Sequence, residues 1–249
     1  MSFRAHSRSR GKARRRGRST AIGGPLLRSR NLHFSPAFES LEDRRLLTVT
    51  PMLLKDIYPG NGSDPEDFVD VNGTTFFSAT DPTNGRELWK TNGTEGGTVL
   101  VKDINPNAND SSYPSGLTNV NGTLFFSAND GTNGYELWKS DGSEDGTVQV
   151  KDINPNAADS SYPYFLTNVS GALFFSANDG TNGYELWKSD GSEDGTVQVK
   201  DINPNAGDSY PRYLTNVSGT LFFSADDGTN GYELWKSDGS EDGTVQVKD

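Results

Sequence analysis

The two histidines of this chain, His6 and His33, lie within its first 38 residues, and there is no cysteine. A hydrolytic triad needs a base beside its nucleophile. The many serines beyond residue 38 have no histidine to serve them. Carboxylates are plentiful, and a pair flanking one bond can cleave a glycoside. Yet Glu87, Glu136, Glu185 and Glu233 recur in register, each opening the string Glu-Leu-Trp-Lys. A catalytic pair is a single asymmetric site, so a carboxylate copied at a fixed spacing reads as structural. The expectation is a protein that does not catalyse.

Two other residue sets could hold a ligand. Asp141, Ser143 and Asp145 place oxygens at positions 1, 3 and 5 of a loop with Gly146 at position 6, as at the start of a calcium loop. Copies fall at Asp190, Ser192 and Asp194, and at Asp238, Ser240 and Asp242. A closing carboxylate at position 12 would be Asp152. It lies roughly 15–20 Å further along a strand rising about 3.3 Å per residue, out of reach. The first copy reads Asn92, Thr94 and Gly96 and loses two ligands. Asp-Gly is equally a tight-turn signature. A plain turn and a Ca2+-stabilised loop both stay open, and no cofactor is required.

The second set comes from comparing near-identical segments. After Ser-Tyr-Pro the chain reads Ser115-Gly116, Tyr164-Phe165 and Arg212-Tyr213, with Glu66-Asp67 at the matching place upstream. Tyr113, Tyr162 and Tyr210 flank these variable pairs. Aromatic loop residues beside variable polar ones suit a glycan or a peptide; drift in a solvated loop is the plainer reading.

These residues are positioned by a repeat. Trp89, Trp138, Trp187 and Trp235 are spaced 49, 49 and 48 residues apart. The repeats run over about 53–102, 103–151, 152–200 and 201–249. Each holds four short strands, in the second copy Leu117–Val120, Thr123–Ala128, Tyr135–Lys139 and Thr147–Ile153. The Asn121-Gly122 step between apolar runs marks a two-residue hairpin, since both residues tolerate positive φ. Asn72-Gly73 repeats it. Leu124, Phe126 and Ala128 fall on one strand face and Phe125 on the other, which suits a strand covered on both sides. Four antiparallel strands in about 50 residues match one β-propeller blade. The expected fold is all-β: a propeller-like array of four-stranded antiparallel blades, open or closed, with the tryptophans buried between blades. The Val-Lys-Asp-like segment occurs five times, ending at Asp56, Asp103, Asp152, Asp201 and Asp249. Either Leu53–Ile57 clasps the ring within the last blade, or the array is open and belongs to a longer one.

Charge divides the chain. Residues 1–38 carry ten of its 23 Lys and Arg and no acid, leaving 13 basic against 34 acidic side chains, a formal −21, in the remainder. So acidic a body repels phosphates and argues against nucleic acid as partner. Residues 1–50 read as a basic, disordered leader with a signal-like character. No stretch approaches the ~20 apolar residues of a transmembrane helix.

The string Glu136-Leu137-Trp138-Lys139-Ser140-Asp141-Gly142-Ser143, ending at Gly146-Thr147, resembles the bacterial ELWxxDGT repeat family. Glu87–Thr98, Glu185–Thr196 and Glu233–Thr244 fit the same pattern, except that Asn92 replaces its Asp. The resemblance implies a propeller-like, exported bacterial protein and brings no catalytic residues. Upstream, Leu41, Glu42, Arg44, Leu46 and Leu47 resemble the LEPR-XLL sorting segment of large planctomycete surface proteins, with Asp43 where Pro is usual. That resemblance implies export to the cell surface. The expectation is thus an adhesion or ligand-binding protein with an extracellular glycan or protein partner; the rival is a structural spacer of a surface layer.

Overall fold

A computed structural model describes residues 51–107, 110–156, 159–204 and 206–248; the leader expected over 1–50 lies outside them. Among the described residues there are sixteen strands and no helix, so no helix here could cross a membrane. The strands form four antiparallel sheets of four, each ordered as in sequence. Blade one holds β1 (Glu66–Val71), β2 (Thr74–Asp81), β3 (Gly85–Thr91) and β4 (Val99–Lys102). Blade two holds β5 (Ser115–Val120), β6 (Thr123–Asn129), β7 (Tyr135–Ser140) and β8 (Val148–Lys151). Blade three holds β9 (Tyr164–Val169), β10 (Ala172–Asn178), β11 (Tyr184–Ser189) and β12 (Val197–Lys200). Blade four holds β13 (Arg212–Val217), β14 (Thr220–Asp226), β15 (Tyr232–Ser237) and β16 (Val245–Lys248).

Local chemistry sets the hairpins. Asn121 and Gly122 take φ of 53° and 86°, the doubly left-handed turn whose twist matches the flanking strands. The fourth strand ends at Lys151, earlier than the expected Ile153. Ile153 leaves the ladder because its side chain is buried in the core and its N–H donates to Glu136 at 2.9 Å.

Successive blades pack through their inner strands, β1 on β5, β5 on β9 and β9 on β13. At the first seam Leu124, Phe126, Ala128 and Trp138 meet Val71, Phe76, Leu88, Val101 and Ile104. Alternation turns Phe125 the other way, into a second seam with Leu137, Phe175 and Trp187. A third holds Phe174, Leu186, Phe223 and Trp235. All four tryptophans are buried. Each large apolar side chain so covered contributes about 1.5–3 kcal/mol, which is why one blade needs the next.

Among the described residues no blade packs on the far face of blade four. Val217 and Leu234 are 50% and 49% exposed, whereas their counterparts Val120 and Leu137 are buried. The clasp weighed for Leu53–Ile57 is not formed. Ile57 packs on Phe77, Ala79 and Trp89 of blade one, and Lys55 Nζ donates to Thr98 O at 2.7 Å. The same bond recurs from Lys102 to Thr147 O at 2.9 Å and from Lys151 to Thr196 O at 3.0 Å. Leu53–Ile57 therefore lies where the end of a preceding blade's outer strand would lie, and β16 keeps its own place in the last sheet.

Candidate functional site

The recurrent glutamates are locks between blades. Glu136 accepts from Ile153 N–H (2.9 Å), Ser161 N–H (2.8 Å) and the Ser161 hydroxyl (2.6 Å). Glu87 does the same with Ile104 and Ser112, and Glu185 with Ile202, Asn203 and Ser209. Burial raises each of the three to about 7, against the opposing pull of these hydrogen bonds. Perturbed carboxylates often mark active sites. These three have no exposed surface and cannot touch a substrate.

The Asp-Gly loops are closed on themselves. Asp141 Oδ1 accepts from Ser143 N–H at 2.8 Å and from its hydroxyl at 2.6 Å, while Gly146 N–H donates to Ser143 Oγ at 2.9 Å. Asp190 with Ser192 and Asp238 with Ser240 repeat this. These bonds hold Asp141, Asp190 and Asp238 below the usual carboxylate range. Asp145, Asp194 and Asp242 take no part in the turn bonds, and among the described residues no three acidic or His side chains form a metal-sized group.

The variable positions converge at one end of the blades, where first and third strands begin. The loop entering each blade is tied to the previous blade's third strand: Tyr162 N–H donates to Tyr135 O at 3.1 Å, and Tyr210 N–H to Tyr184 O at 3.2 Å. This brings the rings face to face. Tyr135, Tyr162, Tyr164, Tyr184 and Tyr210 form a ladder with successive centroids 5.4, 6.0, 6.4 and 5.3 Å apart. Phe165 sits edge-on to Tyr164 and tilts against Tyr213. Arg212 lies 3.7 Å over the Tyr232 ring and 5.5 Å from that of Tyr213, a cation–π clamp. Burial and neighbouring phenols push Tyr184 up to about 12, so its hydroxyl stays a neutral donor.

Two grooves share Tyr164. One, of about 480 Å³, is lined by Tyr164, Phe165, Tyr184, Tyr210, Arg212 and Tyr232. The other, of about 330 Å³, lies among Glu66, Arg86, Tyr113, Tyr135 and Tyr162. The acidic pair is partly engaged: Glu66 pairs with Arg86 at 2.8 Å, and Asp67 accepts from Gly116 N–H at 3.0 Å. Sequence comparison missed Tyr135, Tyr184, Tyr232 and Arg86. Their signal was available, for each stands just before its Glu-Leu-Trp-Lys string and the first copy differs from the rest.

Backbone strain marks the same place. Tyr113, Tyr162 and Tyr210 have φ of 48°, 46° and 43°, and Phe165 and Tyr213 of 58°. A left-handed conformation costs a non-glycine residue about 1–2 kcal/mol. The bulge where β9 shifts register on β10 imposes it, and Gly116 meets the demand in repeat two at φ 66°. The chain nevertheless places aromatic rings there in repeats three and four.

No protein-family model matches the chain, and no curated protein matches it. Among solved structures it is similar to puromycin hydrolase (TM-score 0.45, 16% identity), covering 74% of this chain and 29% of that one. It is also similar to an α-L-arabinofuranosidase from Clostridium thermocellum (TM-score 0.35, 16% identity, 74% and 70% covered). A third is an endo-1,4-β-xylanase from Bacteroides thetaiotaomicron (TM-score 0.33, 15% identity, 76% and 72% covered). The chain thus spans under a third of the length of puromycin hydrolase. These are likenesses of fold, and no activity follows from them.

Proposed function

We propose that this chain is an exported, non-catalytic binding protein whose aromatic rim holds an extended peptide segment of a partner at the cell surface. The carrying observation is the coincidence at the rim of three features: aromatic variation between repeats, left-handed strain, and two grooves that meet at Tyr164. Strain retained where glycine would relieve it supports selection for the side chain. The ring spacing of 5.3–6.4 Å lies near the roughly 6.6 Å between same-side residues of an extended strand. Within the ladder each ring faces another, so the flat faces a sugar would stack on are largely taken, and edges and hydroxyls remain. Export rests on the resemblance to ELWxxDGT repeats and to the sorting segment.

The test is a screen of peptides and glycans against the full chain, followed by titration of the best binder. Tyr164→Ala and Arg212→Ala should each weaken a peptide at least about tenfold, as loss of a central aromatic or arginine anchor does. Binding of glycans alone would replace the peptide reading. A ligand indifferent to both substitutions would place the site elsewhere.

A further inference from the structure

Two arginines stand at the rim in opposite surroundings. Arg86, at the start of β3, is saturated. Its Nη1 donates to Glu66 at 2.8 Å and to Ser78 Oγ at 3.1 Å, and its Nη2 donates to Asp64 O at 2.8 Å. Arg212 opens β13, in the place that Glu66, Ser115 and Tyr164 hold in the other blades, each set in register against a serine of the second strand. Its guanidinium has a ring but no acceptor. The central carbon lies 3.7 Å over the Tyr232 ring, and Nε is buried with no hydrogen-bond partner. Among the described residues Arg86–Glu66 is the one ion pair, so no carboxylate answers Arg212. Asp208, the acid nearest to it in sequence, already accepts from Tyr184 N–H at 2.7 Å.

A buried charged donor without an acceptor is costly. The cation–π contact offsets part of the lost hydration but takes up none of the N–H groups. A ring over the face of a guanidinium leaves its N–H edge, the side that meets a carboxylate with two parallel hydrogen bonds. The groove of about 480 Å³ between blades three and four has both walls within the described residues, and Arg212 is the one charged side chain lining it. Tyr164, Tyr184 and Tyr210 stand along it in steps of 6.4 and 5.3 Å. The smaller groove is its converse, since Glu66 and Arg86 neutralise each other there.

We propose that the larger groove selects a carboxylate of the bound peptide, seated on Arg212 while the tyrosine ladder takes the neighbouring side chains, which rests on the rim being a peptide site. A carboxylate suits the groove better than a phosphate. The chain beyond residue 38 carries a formal −21, and so acidic a body penalises each further negative charge brought to it. An acidic side chain and a free peptide C-terminus present the same two oxygens, and the guanidinium fork meets both in the same way.

The probes are capped alanine heptapeptides in which two tyrosines flank a central glutamate, glutamine or lysine, together with the glutamine peptide bearing a free C-terminus. Titrated against the full chain, the glutamate peptide should bind at least about tenfold more tightly than the capped glutamine one, the worth of hydrogen bonds to a charged group. Lysine should bind least. A gain on freeing the C-terminus, without a gain from glutamate, assigns the terminal carboxylate as the source. Arg212→Gln should erase the preference and Arg212→Lys keep only part of it, whereas Tyr164→Ala should weaken glutamate and glutamine peptides alike. A second readout needs no peptide affinity: N-acetylglycinate should shift the Arg212 Nε–H resonance of the nitrogen-labelled chain. Peptides that bind with no preference for a carboxylate in either place overturn the proposal and leave the peptide reading standing. So does a preference that survives Arg212→Gln. A shift of Arg212 by N-acetylglycinate with no peptide bound sinks the peptide reading and keeps the carboxylate seat. Neither binding nor shift overturns both.

Discussion

Between blades two and three the seam and the rim are built from neighbouring residues yet follow opposite rules. At the seam Leu137, Phe175, Trp187 and Glu136 are buried and the same types recur from blade to blade. At the rim, a few residues away, Ser115-Gly116, Tyr164-Phe165 and Arg212-Tyr213 differ in every copy. A seam residue must satisfy two blades at once, so any change leaves a cavity or an unmatched polar group. A rim residue packs only on neighbouring rim rings and keeps part of its side chain in solvent, so edges and hydroxyls stay available to a ligand.

The largest test of this contrast is Trp187→Ala. Removing so large a buried side chain should cost about 3–5 kcal/mol in denaturant unfolding; a loss under about 1 kcal/mol would break the comparison.

The glutamate locks make the seam sensitive to pH. Glu87, Glu136 and Glu185 titrate near 7 in the folded chain against an ordinary 4.5. Between these values the unfolded chain has released protons that the folded chain keeps, so stability falls as pH rises from about 4.5 to 7. Each glutamate contributes up to about 3 kcal/mol to that fall. Asp141, Asp190 and Asp238 are shifted downward and act oppositely, losing their contribution as pH drops below about 4. Thermal midpoints should therefore peak near pH 4–5. Glu136→Gln should remove about a third of the slope above that peak, and an unchanged slope would deny the locks their role.

At the rim the effects on stability should be smaller and the effect on binding larger. Tyr164→Ala should alter unfolding by about 1 kcal/mol, as expected for a half-exposed side chain that loses its ring contacts, while weakening peptide binding at least about tenfold. A loss of stability as large as that of Trp187→Ala would make the ladder part of the core. Smallest of all is Phe165→Gly. Relief of the left-handed φ nearly offsets the added freedom of glycine in the unfolded chain. A change of under about 1 kcal/mol is expected, with binding diminished.

The periodicity, the strand alternation and the tryptophan spacing made the blade and its two-sided burial legible from residues alone, because a period of two and a repeat of 49 are local properties of the chain. The same comparison of copies singled out Tyr113, Tyr162, Tyr164, Phe165, Tyr210, Arg212 and Tyr213. It did not bring in Tyr135, Tyr184 and Tyr232, which sit in otherwise uniform strings and reach the rim only because β7, β11 and β15 begin at the same end of the blades as β5, β9 and β13. Nor could it choose the place of Leu53–Ile57, since a Val-Lys-Asp-like segment suits either end of the array. Only packing decided that, by setting Ile57 on Trp89 and giving Lys55 the carbonyl of Thr98. Glu136 is the clearest case. Its recurrence marked it as structural, but that its carboxyl gathers donors from residues 17 and 25 positions away depends on how the chain turns out of one blade and into the next, and no local pattern encodes that distance.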